Sequence, residues 1–147
     1  MQLFLVAILV FVLDQATKQV ALRFLTFGTS TPVVAHIFHL TLVENQGIAF
    51  GVLQDHAPVL LIVITLCVLI LIAYFVFVPQ STLYQRFCYG FILGGALGNL
   101  VDRLRLGHVV DFLDFRIWPV FNVADAFISI GVGLLILTAF KKSSRAS

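Results

Sequence analysis

Long runs of apolar residues alternate with short polar segments along the whole chain. Pro58 to Val78 contains no charged residue, and Phe121 to Phe140 contains only Asp125. Phe87 to Leu104 carries its charges only near its end, and Leu3 to Leu13 is wholly apolar. A helix of about 20 apolar residues spans the hydrocarbon core of a bilayer. The pattern therefore predicts four membrane-spanning helices.

The first span is predicted to continue beyond its apolar start. Asp14 and Lys18 are four residues apart with the acid first, which is the favourable order for an ion pair on a helix. We expect this polar face to point into the bundle, where ionisable groups at membrane depth usually lie. The predicted spans are about 3–27, 58–78, 87–104 and 121–140, and the segments 28–57 and 105–120 connect them on one side.

Two short segments on that side have the pattern of β-strands. Ile37 to Val43 and Val109 to Phe115 are rich in β-branched or aromatic residues and partly alternate. We therefore expect a small β-structured lid at the membrane surface. Within the third span, glycines at positions 90, 94 and 98 recur every four residues, a spacing that allows helix backbones to approach closely.

Composition places the chain among integral membrane proteins. The 147 residues are 61% hydrophobic and 11% charged, whereas soluble domains are about 45–50% apolar and about 25% charged. So small a domain has too little interior for this apolar surface, which excludes a soluble enzyme, a disordered chain and a nucleic-acid-binding module. We expect an all-α membrane fold, a four-helix bundle with a small β region, forming a single domain over residues 1–147.

Most acidic residues have a nearby structural explanation, but two do not. The predicted structural pairs are Asp14 with Lys18, Asp102 with Arg103, and Asp114 with Arg116. Asp111 has only His108 within four residues, and no base lies within eight residues of Asp125. A carboxylate at membrane depth without a partner indicates a functional site.

The polar neighbours of these two acids are predicted to converge on them. Asn122 and Asp125 are three residues apart and share a helix face, as do Asn99 and Arg103 at a spacing of four. Asp111 lies in the segment that joins the two helix ends. The five side chains form a candidate site for either proteolysis or transport, and their spacing does not decide between the two.

Two function classes fit this arrangement. Two neighbouring aspartates cannot both ionise cheaply, so one keeps a proton while the other activates a water molecule, as in aspartic proteases. The alternative is a small four-span proton-coupled carrier or membrane subunit with Asp14 and Asp125 as proton sites. His36, His39 and Glu44 lack the HExxH spacing of a zinc site, so no metal is expected.

Five segments, in order, resemble those of signal peptidase II, the bacterial lipoprotein signal peptidase. They are Asp14–Lys18 (DQATK), Asn45–Gly51 (NQGIAFG), Gly94–Arg103 (GGALGNLVDR), Val109–Phe112 (VVDF) and Phe121–Asp125 (FNVAD). The resemblance implies a membrane aspartyl endopeptidase that removes signal peptides from prolipoproteins, cutting before the diacylglyceryl-modified cysteine. It implies no cofactor, and it implies sensitivity to globomycin-type cyclic peptides.

The resemblance also assigns roles to individual residues. The catalytic pair falls on Asp111 and Asp125, and the substrate-binding positions fall on Asn45, Gly47, Asn99, Arg103 and Asn122. Structural polar roles are expected for Asp14, Lys18 and Asp102. The implied location is the bacterial cytoplasmic (inner) membrane, with several spans, both termini in the cytoplasm and the active site near the outer face. The expected partners are lipid-modified prolipoprotein signal peptides and membrane lipids, not nucleic acid, and the chain is expected to be a monomer.

Overall fold

The computed structural model of the protein describes residues 1–46, 57–77 and 82–143. Within these ranges the chain forms four α-helices and three β-strands. In chain order they are α1 (Gln2–Phe24), β1 (Ser30–Val34), β2 (Phe38–Asn45), α2 (Ala57–Phe77), α3 (Leu83–Leu106), β3 (Val109–Asp114) and α4 (Val123–Ser143).

Each predicted span corresponds to one of the four helices, with corrected ends. The first helix ends at Phe24 rather than at residue 27, because Leu25 adopts an extended conformation with ψ of 145°. α3 begins earlier than predicted because Thr82 and Gln85 form a capping box, in which each side chain accepts a hydrogen bond from the backbone N–H of the other. It ends at Leu106 and is followed by the capping residue Gly107, whose φ of 79° suits a residue without a Cβ atom.

Two of the helices have the length and composition of membrane spans. Among the described residues, these are α1 and the stretch of α4 from Val123 to Phe140, whereas α2 contributes a shorter apolar segment, Val63–Tyr74. Large apolar side chains point outward along α1, with Ile8 59% and Leu9 61% exposed. A surface of this kind is stable in contact with lipid rather than water.

The glycines of α3 allow it to lie directly against α1, as their spacing predicts. A Cβ atom on Gly94 would lie 2.5 Å from the carbonyl oxygen of Ala7, and one on Gly90 would also be too close to α1. A Cβ atom on Gly98 would collide with the carboxylate of Asp14. This contact therefore depends on the absence of side chains on one face of α3.

The opposite face of α3 packs against α4 in a similar way. A Cβ atom on Gly95 would lie 2.5 Å from the carbonyl oxygen of Ala124, and one on Gly131 would lie 2.8 Å from that of Cys88. Cys88 is fully buried and is a free thiol, as is Cys67. α3 is thus the central helix, held between α1 and α4.

The three strands form one antiparallel sheet in the order β1-β2-β3. The prediction of strands at β2 and β3 is confirmed, whereas β1 was not predicted. Val110 and Phe112 of β3 pack with Ala21 of α1, Leu42 of β2 and, at the start of α4, Val123. The sheet therefore rests on the helix ends and brings β3 to the beginning of α4.

The packing of α3 predicts opposite effects for two glycine-to-alanine changes. Gly94→Ala should lower the thermal unfolding midpoint of the purified protein in detergent, because overpacking costs about 1–3 kcal/mol. Gly133→Ala in α4 is the matched control, since nothing lies within 4 Å of its added Cβ. The control should gain about 0.5–1 kcal/mol from reduced backbone freedom in the unfolded chain. Equal midpoints for the two variants would contradict the packing account.

Candidate active site

The buried ammonium group of Lys18 lies at the contact between α1 and α3. Lys18 is 1% exposed, and its Nζ lies 2.9 Å from Asp14 Oδ2 and 2.8 Å from Asp102 Oδ2. The prediction that Asp14 pairs with Lys18 is confirmed. Asp102 was predicted to pair with Arg103, whose guanidinium it attracts, and it also forms an ion pair with Lys18 across the α1–α3 contact that the glycines allow.

Both carboxylates of this cluster also accept hydrogen bonds from neutral donors. Asp14 Oδ1 accepts from the backbone N–H of Ala124 at 2.9 Å, at the start of α4. Asp102 accepts from the backbone N–H of Val110 at 3.2 Å and from the side chain of Gln15 at 2.9 Å. Gln15 was not selected from the sequence, although an amide next to Asp14 in an apolar span was a usable signal.

The first turn of α4 holds Asp125 in place. Asn122 precedes the helix, and its Oδ1 accepts the backbone N–H of Asp125 at 2.9 Å. In return, Asp125 Oδ2 accepts the backbone N–H of Asn122 at 3.4 Å, which completes a capping box. The amino end of a helix also favours a negative charge. The predicted shared face of these two residues is confirmed.

Asp111 reaches the same point from the sheet. Its Oδ1 accepts from Asn122 Nδ2 at 2.6 Å, and its Oδ2 accepts from Asn45 Nδ2 at 2.9 Å. Val43 pairs with Asp111 across the strands, so Asn45 is the diagonal neighbour on the same face. Burial and then the nearby Asp125 carboxylate raise the pKa of Asp111 from 3.8 to about 7, against the opposing hydrogen bonds of the two amides.

Asn99 connects the aspartates to the ion cluster. Its Nδ2 donates to Asp125 Oδ1 at 2.7 Å, and its Oδ1 accepts from Lys18 at 2.9 Å and from Asn122 at 3.1 Å. Arg103, one turn later on α3, donates to the backbone oxygen of Asn99 at 3.3 Å. Its guanidinium group is attracted by the charges of the nearby aspartates.

The structure brings most of the residues predicted for the site together. Asp111, Asp125, Asn45, Asn99 and Asn122 form one continuous set of hydrogen bonds. Gly47 lies outside the described residues. Two buried carboxylates held close by amide donors can share one proton and act on a water molecule as a base and an acid.

A third aspartate near the site has a structural role. Asp114, also on β3, pairs with Arg116 at 3.0 Å as predicted, and it accepts a hydrogen bond from Thr41 at 2.8 Å. Burial alone would raise its pKa, but the hydrogen bonds from Thr41 and Arg116 outweigh burial and hold the pKa below its usual range. Asp111 and Asp114 therefore share a strand, but their pKa values are shifted in opposite directions.

The chain matches a known protein family over nearly its whole length. The model of that family, described as Signal peptidase (SPase) II, matches residues 6–141. The lipoprotein signal peptidase of Caldanaerobacter subterraneus subsp. tengcongensis is 46% identical over 147 residues, covering 99% of this chain and 100% of the relative. That of Halothermothrix orenii is 44% identical over 134 residues, covering 91% and 92%.

Solved structures agree with the sequence comparison. One described as a bacterial membrane enzyme structure by the in meso method has a TM-score of 0.89 and 32% identity, covering 99% of this chain and 91% of its own. A second with the same description has a TM-score of 0.83 and 33% identity, covering 95% and 92%. The fold is thus that of a bacterial membrane enzyme.

The raised pKa of Asp111 predicts how stability depends on pH. The folded protein keeps this proton up to about pH 7, whereas the unfolded chain loses it near pH 4. Stability from this group is therefore complete below about pH 4 and is lost as the pH rises through about 7. Asp111→Asn should flatten the fall of the unfolding midpoint between about pH 5 and about pH 7, as measured by thermal unfolding in detergent.

Asp114→Asn is the matched control for this measurement. Because the pKa of Asp114 is lowered in the folded state, its contribution is complete above about pH 4 and is lost only on further acidification. The control should retain the slope of the native protein over the same interval. A native slope that persists in Asp111→Asn would show that Asp111 does not hold the proton.

Proposed function

The chain belongs to the signal peptidase II family, and from this we propose that it removes signal peptides from bacterial prolipoproteins. The observation that carries the proposal is that two amides bonded to each other link the carboxylates, with Asn122 donating to Asp111 and Asn99 donating to Asp125. A proton-coupled carrier would need Asp14 as an exchangeable proton site. Instead, Asp14 is bound to Lys18 and to the backbone of α4.

The proposed reaction uses one ionised and one protonated aspartate. Asp125, at the amino end of α4, acts as the base that takes a proton from water while the water oxygen attacks the scissile carbonyl. Asp111 holds the shared proton, polarises the carbonyl oxygen and supplies a proton as the amide nitrogen leaves. Burial and the charge of Asp125 raise the pKa of Asp111 to about 7, which supports this division of roles. The products are the free signal peptide and the new amino terminus.

The remaining polar residues are proposed to bind the substrate. Asn45, Asn99, Arg103 and Asn122 surround the two aspartates and can hold the peptide backbone near them, and Gly47 is proposed for the same role. We propose that cleavage occurs just before a cysteine carrying a diacylglyceryl group, with the acyl chains in the surrounding lipid. Inhibition by globomycin-type cyclic peptides is part of the proposal, since such a peptide would compete for these contacts.

We propose that the protein crosses the cytoplasmic membrane four times, as a monomer and a single domain. The membrane location is supported by α1 and α4, which have the length and composition of membrane spans. The long helices α2 and α3 would supply the other two spans. With four spans, both termini lie on one side, which we place in the cytoplasm. The site would then open near the outer face, where the lipid-modified precursor is found and water is available.

Removal of either aspartate should abolish proteolysis. Asp111→Asn and Asp125→Asn should each reduce the rate at which the purified protein cleaves a lipidated precursor by at least about 10²–10⁴-fold, because each removes a positioned acid or base. The measurement is the amount of released signal peptide per folded enzyme over time. Gel filtration of each variant establishes the folded amount.

Asp114→Asn is the control, since Asp114 is a carboxylate on the same strand that contacts Thr41 and Arg116 instead of the pair. It should retain a rate within about tenfold of the native enzyme, as expected of a residue without an acid–base role. Near-native turnover by either Asp111→Asn or Asp125→Asn would exclude that residue from the proposed pair.

The proposed orientation can be tested with single cysteines. In a background in which Cys67 and Cys88 are replaced by alanine, Thr29→Cys lies in an exposed segment between α1 and β1, and Ser144→Cys lies near the end of the chain. A membrane-impermeant maleimide added to intact spheroplasts should label the first variant and not the second. Labelling of Ser144→Cys alone would place the site on the cytoplasmic side and contradict the proposal.

A further inference from the structure

The buried ammonium of Lys18 makes a third hydrogen bond that charge compensation does not require. Besides Asp14 and Asp102, Lys18 Nζ contacts Asn99 Oδ1 at 2.9 Å. A lysine ammonium has three N–H donors and no acceptor, so all three donors are used. The two carboxylates already supply more negative charge than the one ammonium needs, whereas the third contact leads into the side chain that touches Asp125.

This third contact determines which way the amide of Asn99 points. An asparagine side chain has an acceptor at one end and a donor at the other, and a half-turn exchanges them. Because Lys18 can only donate, the atom of Asn99 that faces it must be the oxygen. The NH2 group is then directed at Asp125 Oδ1, 2.7 Å away. In the reversed orientation, donors would face each other at Lys18 and acceptors would face each other at Asp125.

The amide of Asn122 is oriented by a second fixed donor. Its Oδ1 accepts the backbone N–H of Asp125, which cannot change places, and its NH2 group therefore points toward Asp111 and Asn99 Oδ1. Both amides are thus oriented by donors other than the two carboxyl groups, namely the Lys18 ammonium and the backbone N–H of Asp125. The contact from Asn122 to Asn99 is 3.1 Å long, whereas the contact from Lys18 is 2.9 Å and carries a full charge.

We propose that Lys18 is a positioning residue for catalysis, because its hydrogen bond to Asn99 fixes that amide so that Asp125 receives an N–H donor. This inference rests on the proposed function, in which Asp125 activates the water. A donor on a carboxylate favours its ionised form, and it leaves the other lone pairs free for the water. Without Lys18, the oxygen of Asn99 keeps the longer contact from Asn122 and loses its charged donor.

The test is a double-mutant cycle on kcat with Lys18→Met and Asn99→Ala. Methionine keeps an unbranched chain of similar length, and alanine removes the amide through which Lys18 is proposed to act. Lys18→Met should lower kcat roughly 10- to 100-fold with KM nearly unchanged, the size expected for one hydrogen bond to a charged group. In the Asn99→Ala background, Lys18→Met should lower kcat by less than about twofold further.

A second cycle controls for the possibility that Lys18→Met does not fold. Lys18→Met alone leaves the carboxylates of Asp14 and Asp102 without their cation, which is destabilising. The cycle is therefore repeated in an Asp102→Asn background, where removing the charge of Lys18 restores the net charge of the native cluster. Asp14 keeps its hydrogen bond from the backbone of Ala124 in that variant. Rates are expressed per folded enzyme in both cycles.

The outcomes separate this inference from the proposed function. If Lys18→Met lowers kcat by the same factor with and without the Asn99 amide, the two residues act independently and the inference is wrong. An effect confined to KM, or one that disappears when rates are expressed per folded enzyme, would also overturn it. Failure of the proposed function would appear differently, as a native protein that does not cleave the precursor or an Asp125→Asn variant that still does.

Discussion

The ion cluster around Lys18 is the interaction on which the arrangement of the other elements depends. A buried ammonium is costly unless its charge is balanced and each N–H has an acceptor, and leaving such a group without one partner costs about 3–5 kcal/mol. The cluster draws on four elements: Asp14 and Lys18 from α1, Asp102 from α3, the N–H of Val110 from β3 and the N–H of Ala124 from α4. The cluster also requires Gly98, since only a residue without a Cβ atom leaves room for the Asp14 carboxylate.

The start of α4 shows how a structural requirement and the proposed chemistry are met by the same residues. The first N–H groups of a helix have no partner within the helix, and inside a protein they must find one elsewhere. The N–H of Ala124 is bound by Asp14, and that of Asp125 by Asn122. Asp125 is thereby held at the point where the positive end of the helix dipole favours a carboxylate. The segment FNVAD therefore encodes a helix start and a candidate base together.

The sequence was sufficient for the parts that depend on local pattern. The four helices, strands β2 and β3, the glycine packing and the pairs Asp14–Lys18 and Asp114–Arg116 follow from periodicity and short spacings. β1 was missed because it contains Pro32 and all its residues are exposed, so it has no buried alternation to detect. The ion pair of Asp102 with Lys18 was not predicted because Lys18 is distant in sequence. Lys18 becomes a neighbour of Asp102 only through the tertiary contact between α1 and α3.

The candidate site could be predicted as a set of residues, but its hydrogen bonds could not. Asp111 and Asp125 come from a strand and a helix, and two like charges placed together would repel each other. In the structure each carboxylate accepts from an amide, which adds no charge: Asn99 donates to Asp125, and Asn122 donates to Asp111. Asn45 reaches Asp111 only because the β2–β3 register places it diagonally opposite. An amide can serve in this way only if its oxygen and nitrogen are correctly placed, and that placement is determined by Lys18 on α1 and by the backbone of α4, neither of which adjoins Asp111 in sequence.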